Sequence, residues 1–88
     1  MPVFYFDSYE NGSVTPDEVG LELVDIEAAK REASRSLSDL RADAPHIDRH
    51  ELAVVVRNQL REPLVMAILV FDLVDLASAA QDTSRASE

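Results

Sequence analysis

The feature that most constrains this chain is a single helical pattern over residues 25–43. Apolar residues recur there at steps of three and four, which places them on one stripe of an α-helix. The stripe consists of Ile26, Ala29, Ala33, Leu37 and Leu40. Asp25 is the expected N-cap, and Glu27 stands in the first turn, where the helix dipole favours a negative charge. Pro45 is expected to end the segment because the residue before a proline avoids helical angles.

The residues before this helix favour extended structure. Residues 3–9 alternate as a strand does and contain aromatic and β-branched side chains. Asn11-Gly12 predicts a hairpin turn, because both residues tolerate positive φ. A short return strand is expected at 13–15, and Pro16 interrupts it after that point. Residues 20–23 form a further short extended piece.

Two more strands are expected after the helix. Residues 50–57 alternate between two faces, residues 58–63 form a turn, and residues 64–74 form a longer strand rich in Val, Ile, Leu and Phe. A helix over 64–80 is the alternative, but the run of β-branched residues argues against it. The order ββαββ predicts an α+β two-layer sandwich, in which one helix packs on a mostly antiparallel sheet.

Length and composition predict one small domain over residues 1–75, followed by a flexible polar tail over 76–88. The chain has 88 residues and no cysteine, which excludes disulfides and thiolate metal sites. The first residues lack a signal-peptide pattern. The apolar run at 64–71 is far shorter than the roughly 20 residues needed to span a bilayer. A cytoplasmic location without a membrane partner is expected.

The charge of the chain is strongly acidic and unevenly placed. Seventeen acidic residues stand against eight basic ones, for a net charge of −9, and residues 1–24 contain no Lys or Arg. Such a field repels phosphate backbones and disfavours nucleic-acid binding. It suits either a basic protein partner or simple solubility.

The last two strands are apolar on both faces, although a two-layer sheet should be polar at every second residue of its exposed face. An apolar face left bare would be an unusually large patch, so we expect a second subunit to cover it in a symmetric dimer. The candidate interface residues are Val55, Met66, Ile68, Val70 and Tyr5. The alternatives are that the C-terminal segment folds back over this face, or that register shifts hide it within one chain.

Few residues indicate metal binding or catalysis. His46 and His50 are four apart, a spacing that binds zinc or nickel on a helix, but they follow a proline, a third ligand is lacking, and a solvated loop is expected. Four carboxylates flank the first hairpin and are expected to be solvated. They are Asp7, Glu10, Asp17 and Glu18.

No catalytic constellation is recognisable. The chain has no cysteine nucleophile and no serine in a glycine-flanked elbow, and its two glycines cannot form a phosphate cradle. The basic residues of the helix alternate with acidic ones, which indicates a salt-bridged solvent face. We therefore expect neither enzymatic activity nor a cofactor nor a metal.

Several segments, taken in order, carry a resemblance to a known family. They are Phe4-Tyr5-Phe6-Asp7, Asn11-Gly12, residues 16–23, Asp25-Ile26-Glu27-Ala28-Ala29, Glu32-Ala33 and residues 51–57. Together they resemble a family of short bacterial proteins, common in soil and root-nodule alphaproteobacteria, that is described as a domain of unknown function. The resemblance implies a fold and no assigned activity.

The chain departs from that family at the candidate interface. Family members carry an acidic residue where Val55 stands and polar residues near Met66 and Ile68, which favours a partner particular to this protein. A looser likeness to antitoxins of the HicB type rests on Gly20, Asp25, Glu27 and Ala28. It implies an acidic regulator that binds a basic partner.

Overall fold

A computed structural model describes residues 1–44 and 46–77 of the chain. The elements in chain order are β1 (Val3–Glu10), β2 (Ser13–Thr15), β3 (Leu21–Glu22), α1 (Ile26–Ala42), β4 (Arg49–Arg57) and β5 (Pro63–Asp72). The predicted α+β fold is confirmed, because α1 packs on one face of a five-stranded antiparallel sheet. The helix ends at Ala42, before Pro45, which was expected to stop it and which lies outside the described residues, as do residues 78–88 of the tail predicted over 76–88.

The strands follow the order β2-β1-β4-β5, and β3 pairs with β1 beside this path. Asn11 and Gly12 connect β1 to β2 with φ values of 48° and 89°, so the hairpin predicted for this dipeptide is confirmed. β5 pairs along its length with β4 and is a strand, not the helix that was weighed as an alternative.

The helix has the ends and faces that its sequence predicts. The carboxylate of Asp25 accepts a hydrogen bond from the Ala28 N–H at 2.9 Å and caps the first turn. On the solvent face, Arg35 forms ion pairs with Glu32 and Asp39, as the alternating charges indicated. In the last turn, the guanidinium of Arg41 lies 3.5 Å from the ring centre of Phe71, which ties α1 to β5.

The core lies between α1 and the sheet. Side chains of β1, β4 and α1 form it, because the residues of a strand alternate between faces and those of a helix recur every three or four positions. The buried apolar residues of this layer are Phe4, Ala29, Ala33, Leu37, Leu52, Val54 and Val56. The opposite face of the sheet, called the outer face below, has no second layer among the described residues.

Candidate functional site

The outer face is apolar and exposed along β5. Met66, Ile68 and Val70 are 58%, 65% and 57% exposed, and we call these three residues the outer row. They follow one another at steps of two, so all three point to the same side of the strand. Tyr9 and Ala53 line a shallow groove of about 210 Å³ beside them. The role of these three residues in an interface stays a prediction.

Two of the five candidate interface residues do not belong to this exposed patch. Val55 lies on the outer face as predicted but is only 5% exposed, because it stands in register between Asp7 and Met66 on the neighbouring strands. Tyr5 is partly buried, and the guanidinium of Arg61 lies 4.1 Å from its ring centre. The assignment of Val55 and Tyr5 to an accessible interface is therefore corrected.

On the β1 side of the sheet, the outer face is closed by a buried carboxylate. Asp7 is 7% exposed and its Oδ2 accepts a hydrogen bond from Nε of Arg57 at 2.6 Å, while its Oδ1 accepts one from the Asp17 N–H at 3.0 Å. Burial by itself raises the pKa of Asp7, but these donors outweigh it and hold the pKa below its ordinary value. The same carboxylate raises the pKa of Arg57.

Asp17 anchors the loop between β2 and β3. Its carboxylate accepts hydrogen bonds from the backbone N–H groups of Phe6, Val19 and Gly20 at 3.0, 3.0 and 3.1 Å. Burial alone raises the pKa of Asp17, yet these three donors and the charge of Arg61 lower it below the ordinary value. The expectation of solvated hairpin carboxylates is thus wrong for Asp7 and Asp17.

A second polar pair, between buried His50 and partly exposed Glu10, lies on the helix side. His50 is completely buried, and its Nε2 lies 2.7 Å from Oε2 of Glu10, whereas its Nδ1 has no hydrogen-bond partner in the described part of the chain. His50 lies in the strand predicted over residues 50–57, but the solvated environment expected for it is corrected, because its side chain is buried on the face of β4 that α1 covers. His46 is exposed. No group of three potential metal ligands comes together in residues 1–44 and 46–77.

A cavity of about 270 Å³ adjoins Glu10 on this side, lined also by Ser8, Ser13, Thr15 and Leu40. It is open, and three of its five lining residues carry hydroxyl groups. Among the described residues, no hydroxyl group of this cavity forms a hydrogen bond with Glu10 or His50, which is the contact that a nucleophile and its base would share.

These features define a small α+β protein in which one helix covers one sheet face and the described residues leave the other face open. Residues 3–70 match the family described as Domain of unknown function (DUF6894), and the chain belongs to that family. Neither the curated proteins nor the solved structures compared with the chain contain a match. The predicted relation to a domain-of-unknown-function family is confirmed, while the alphaproteobacterial source and the HicB likeness stay predictions.

The match extends from the first residue of β1 to Val70 in β5 and includes the whole outer row. Among residues 1–44 and 46–77, no helix combines the length and the apolar character needed to cross a bilayer. The cytoplasmic location stays a prediction.

Proposed function

We propose that this protein is a non-catalytic interaction module that self-associates through the outer row of β5, with a second copy of the same chain as its partner. The observation that carries the proposal is the exposure of Met66, Ile68 and Val70 on a sheet face that the described residues leave uncovered. Three neighbouring apolar side chains expose a few hundred Å² together, which is the size of the largest apolar patches on monomers.

The character of the surface favours an apolar partner. The outer row contains no charged side chain, and the groove beside it is formed mainly by apolar residues. The charges nearest to it are already paired within the chain, since Arg49 interacts with Glu51 and Asp72. Burial of apolar surface is the main driving force of association, and small proteins most often satisfy it with a symmetric dimer.

Sedimentation velocity over micromolar concentrations tests the proposal with two matched lysine variants. Ile68→Lys places a charge in the outer row, whereas Val19→Lys places the same charge on an 87% exposed residue of the β2–β3 loop. Both variants reduce the net negative charge equally, so long-range repulsion changes equally. We expect dimers for wild type and Val19→Lys and monomers for Ile68→Lys, with circular dichroism confirming that each variant folds. A wild-type chain that stays monomeric throughout overturns the proposal.

The net charge of −9 favours a second candidate, an acidic regulator that binds a basic protein, as the HicB likeness implied. Salt separates the two functions, because exposed charge pairs are screened and apolar contacts are not. Self-association that persists or strengthens as salt rises supports the interaction module. A monomer that binds oligolysine, and releases it steeply as salt rises, supports the acidic regulator.

A further inference from the structure

One long edge of the sheet is covered by other segments of the chain, and the other long edge is open in the described residues. The outer edge of β1 is covered along its length, because β3 pairs with Val3 and Phe4, Asp17 accepts the Phe6 N–H, and β2 pairs with residues 8–10. β5 is also an edge strand and is ten residues long, but within residues 1–44 and 46–77 it pairs only with β4. An uncovered strand edge presents free backbone donors and acceptors.

The free backbone groups of β5 belong to the residues that expose their side chains. Just after the strand, the Leu73 N–H donates to the Asp48 carbonyl at 2.7 Å, so odd-numbered residues direct their backbone groups toward β4. Successive residues of a strand alternate in this direction. The even-numbered residues therefore direct their N–H and C=O groups to the open edge, and they include the whole outer row.

The usual protection of an edge strand is missing here. Natural edge strands carry prolines, lysines, bulges or inward-pointing charges that prevent pairing with another chain. The stretch from Leu64 to Phe71 contains no charge, no glycine and no proline, and only Pro63 and Asp72 at its two ends interrupt the apolar run. The single irregularity in the β4–β5 pairing lies at Val56/Arg57, next to the turn.

We infer that β5 pairs antiparallel with β5 of a second copy, about a two-fold axis at Ile68. This inference rests on the proposed self-association and adds its geometry. Because only even-numbered residues have free backbone groups, they must face one another. The register that uses the full strand places Met66 opposite Val70 of the partner subunit and Ile68 opposite Ile68 of the partner subunit. The two sheets then form one continuous sheet, and the two outer rows merge on one side.

The length of the paired β5 strands sets the expected strength of the dimer. A nine-residue pairing is about 30 Å long. It covers a few hundred Å² on each copy, below the roughly 800 Å² per partner of standard stable interfaces. Each copy also carries a net charge of −9, and the two copies repel one another at low salt. The dimer is accordingly weak, depends on concentration and is strengthened by moderate salt.

Single cysteine variants test the register, since the native chain contains no cysteine. In Ile68→Cys, the two thiols face each other across the axis with Cα atoms about 5.5 Å apart, which a disulfide can bridge. In Met66→Cys and in Val70→Cys, each alone, the two thiols are about 14 Å apart along the strands, too far for a disulfide. The three positions are similarly exposed, so thiol accessibility is matched.

We expect mild oxidation to convert Ile68→Cys into a covalent dimer, with little product from either other variant alone. A mixture of Met66→Cys and affinity-tagged Val70→Cys should give a cross-linked heterodimer. A wild-type dimer whose Met66→Cys and Ile68→Cys variants cross-link equally would overturn the edge pairing and leave the proposed function intact. A monomeric wild type would overturn both. Amide exchange gives an independent readout, because the Ile68 N–H should become protected only in the edge-paired dimer.

Discussion

Arg57 donates a hydrogen bond from its Nε to Oδ2 of Asp7 over 2.6 Å, although the two residues are 50 positions apart in the chain. The pair joins β4 to β1 on the outer face, and its side chains are 25% and 10% exposed. A desolvated carboxylate is stable only when its remaining acceptor sites are also used, and the Asp17 N–H meets that need. The β1 side of the outer face is thereby closed by polar contacts, while the outer row on the β5 side stays open.

Replacing Asp7 by asparagine should destabilise the fold. The new amide keeps the shape of the side chain but directs an N–H group at Arg57, which has no acceptor to offer in return. We expect the free energy of unfolding to fall by about 1–3 kcal/mol in urea titration at neutral pH. Asp72→Asn removes an exposed ion pair with Arg49 and should cost no more than about 1 kcal/mol. Equal losses in the two variants would contradict the structural role of Asp7.

The lowered pKa values of Asp7 and Asp17 predict how stability changes in acid. A carboxyl group whose pKa is lower in the folded state than its ordinary 3.8 stabilises the fold above that value and loses this contribution as pH falls through the folded pKa. We expect the stability of the wild type to decrease below about pH 4. The difference between wild type and Asp7→Asn should shrink over the same interval in a series of urea titrations. A constant difference down to pH 2 would argue against a lowered pKa for Asp7.

The two glycines should differ in their tolerance of alanine. Both have positive φ, 89° at Gly12 and 79° at Gly20, so backbone strain of about 1 kcal/mol applies to each substitution. At Gly20 a Cβ would also lie 2.7 Å from Cγ1 of Val3, whereas Gly12 has open space around it. We expect thermal unfolding to show a clearly larger loss for Gly20→Ala, by about 1–3 kcal/mol beyond that of Gly12→Ala.

Asp17→Ala should open the edge of β1 locally. Without the carboxylate, the Phe6 N–H loses its acceptor, and amide exchange measured by NMR should show it exchanging faster. The Asp7 N–H is the matched control, because it points to β4 on the other edge and should keep its protection. If the Phe6 N–H stays as protected as in the wild type, Asp17 does not close this edge.

The contact between Glu10 and His50 predicts a difference between two substitutions at one position. Glu10→Leu leaves the buried Nε2 of His50 without its partner and should cost about 1–3 kcal/mol of unfolding free energy. Glu10→Gln keeps a hydrogen-bonding group in the same place and should cost less. Urea titration of both variants distinguishes this role of Glu10 from that of a merely solvated side chain, for which the two substitutions would be equivalent.

Local patterns predicted the elements and the faces of this fold, and they failed where distant residues meet. The spacing of Ala29, Ala33 and Leu37 was sufficient to find α1 and its buried stripe, because helix periodicity is a property of neighbouring residues. Alternation likewise placed Val55 on the outer face. It could not show that Asp7 and Met66 flank Val55 and bury it, since that depends on the register of three strands.

The hydrogen-bonded polar groups were missed for the same reason. Asp7 and Asp17 were interpreted as solvated carboxylates because nothing in their own segments reveals Arg57 or the backbone N–H of Phe6 as partners. His50 was interpreted as solvated although it begins the predicted strand 50–57, and its even position in the alternation with Leu52 and Val54 was a signal that it points under the helix.

The contrast between the two strand edges has a consequence for how far assembly can proceed. Contacts between unlike surfaces build fibres when their rotation does not close into a ring, whereas a contact between like surfaces closes as a dimer. Pairing through β5 uses identical surfaces and leaves β2 as the outermost strand at both ends, and β2 is only three residues long. Assembly would therefore stop at the dimer, because pairing uses the long open edge of β5 in both copies. Among the described residues, the dimer then offers no second long open edge to which a further copy could add.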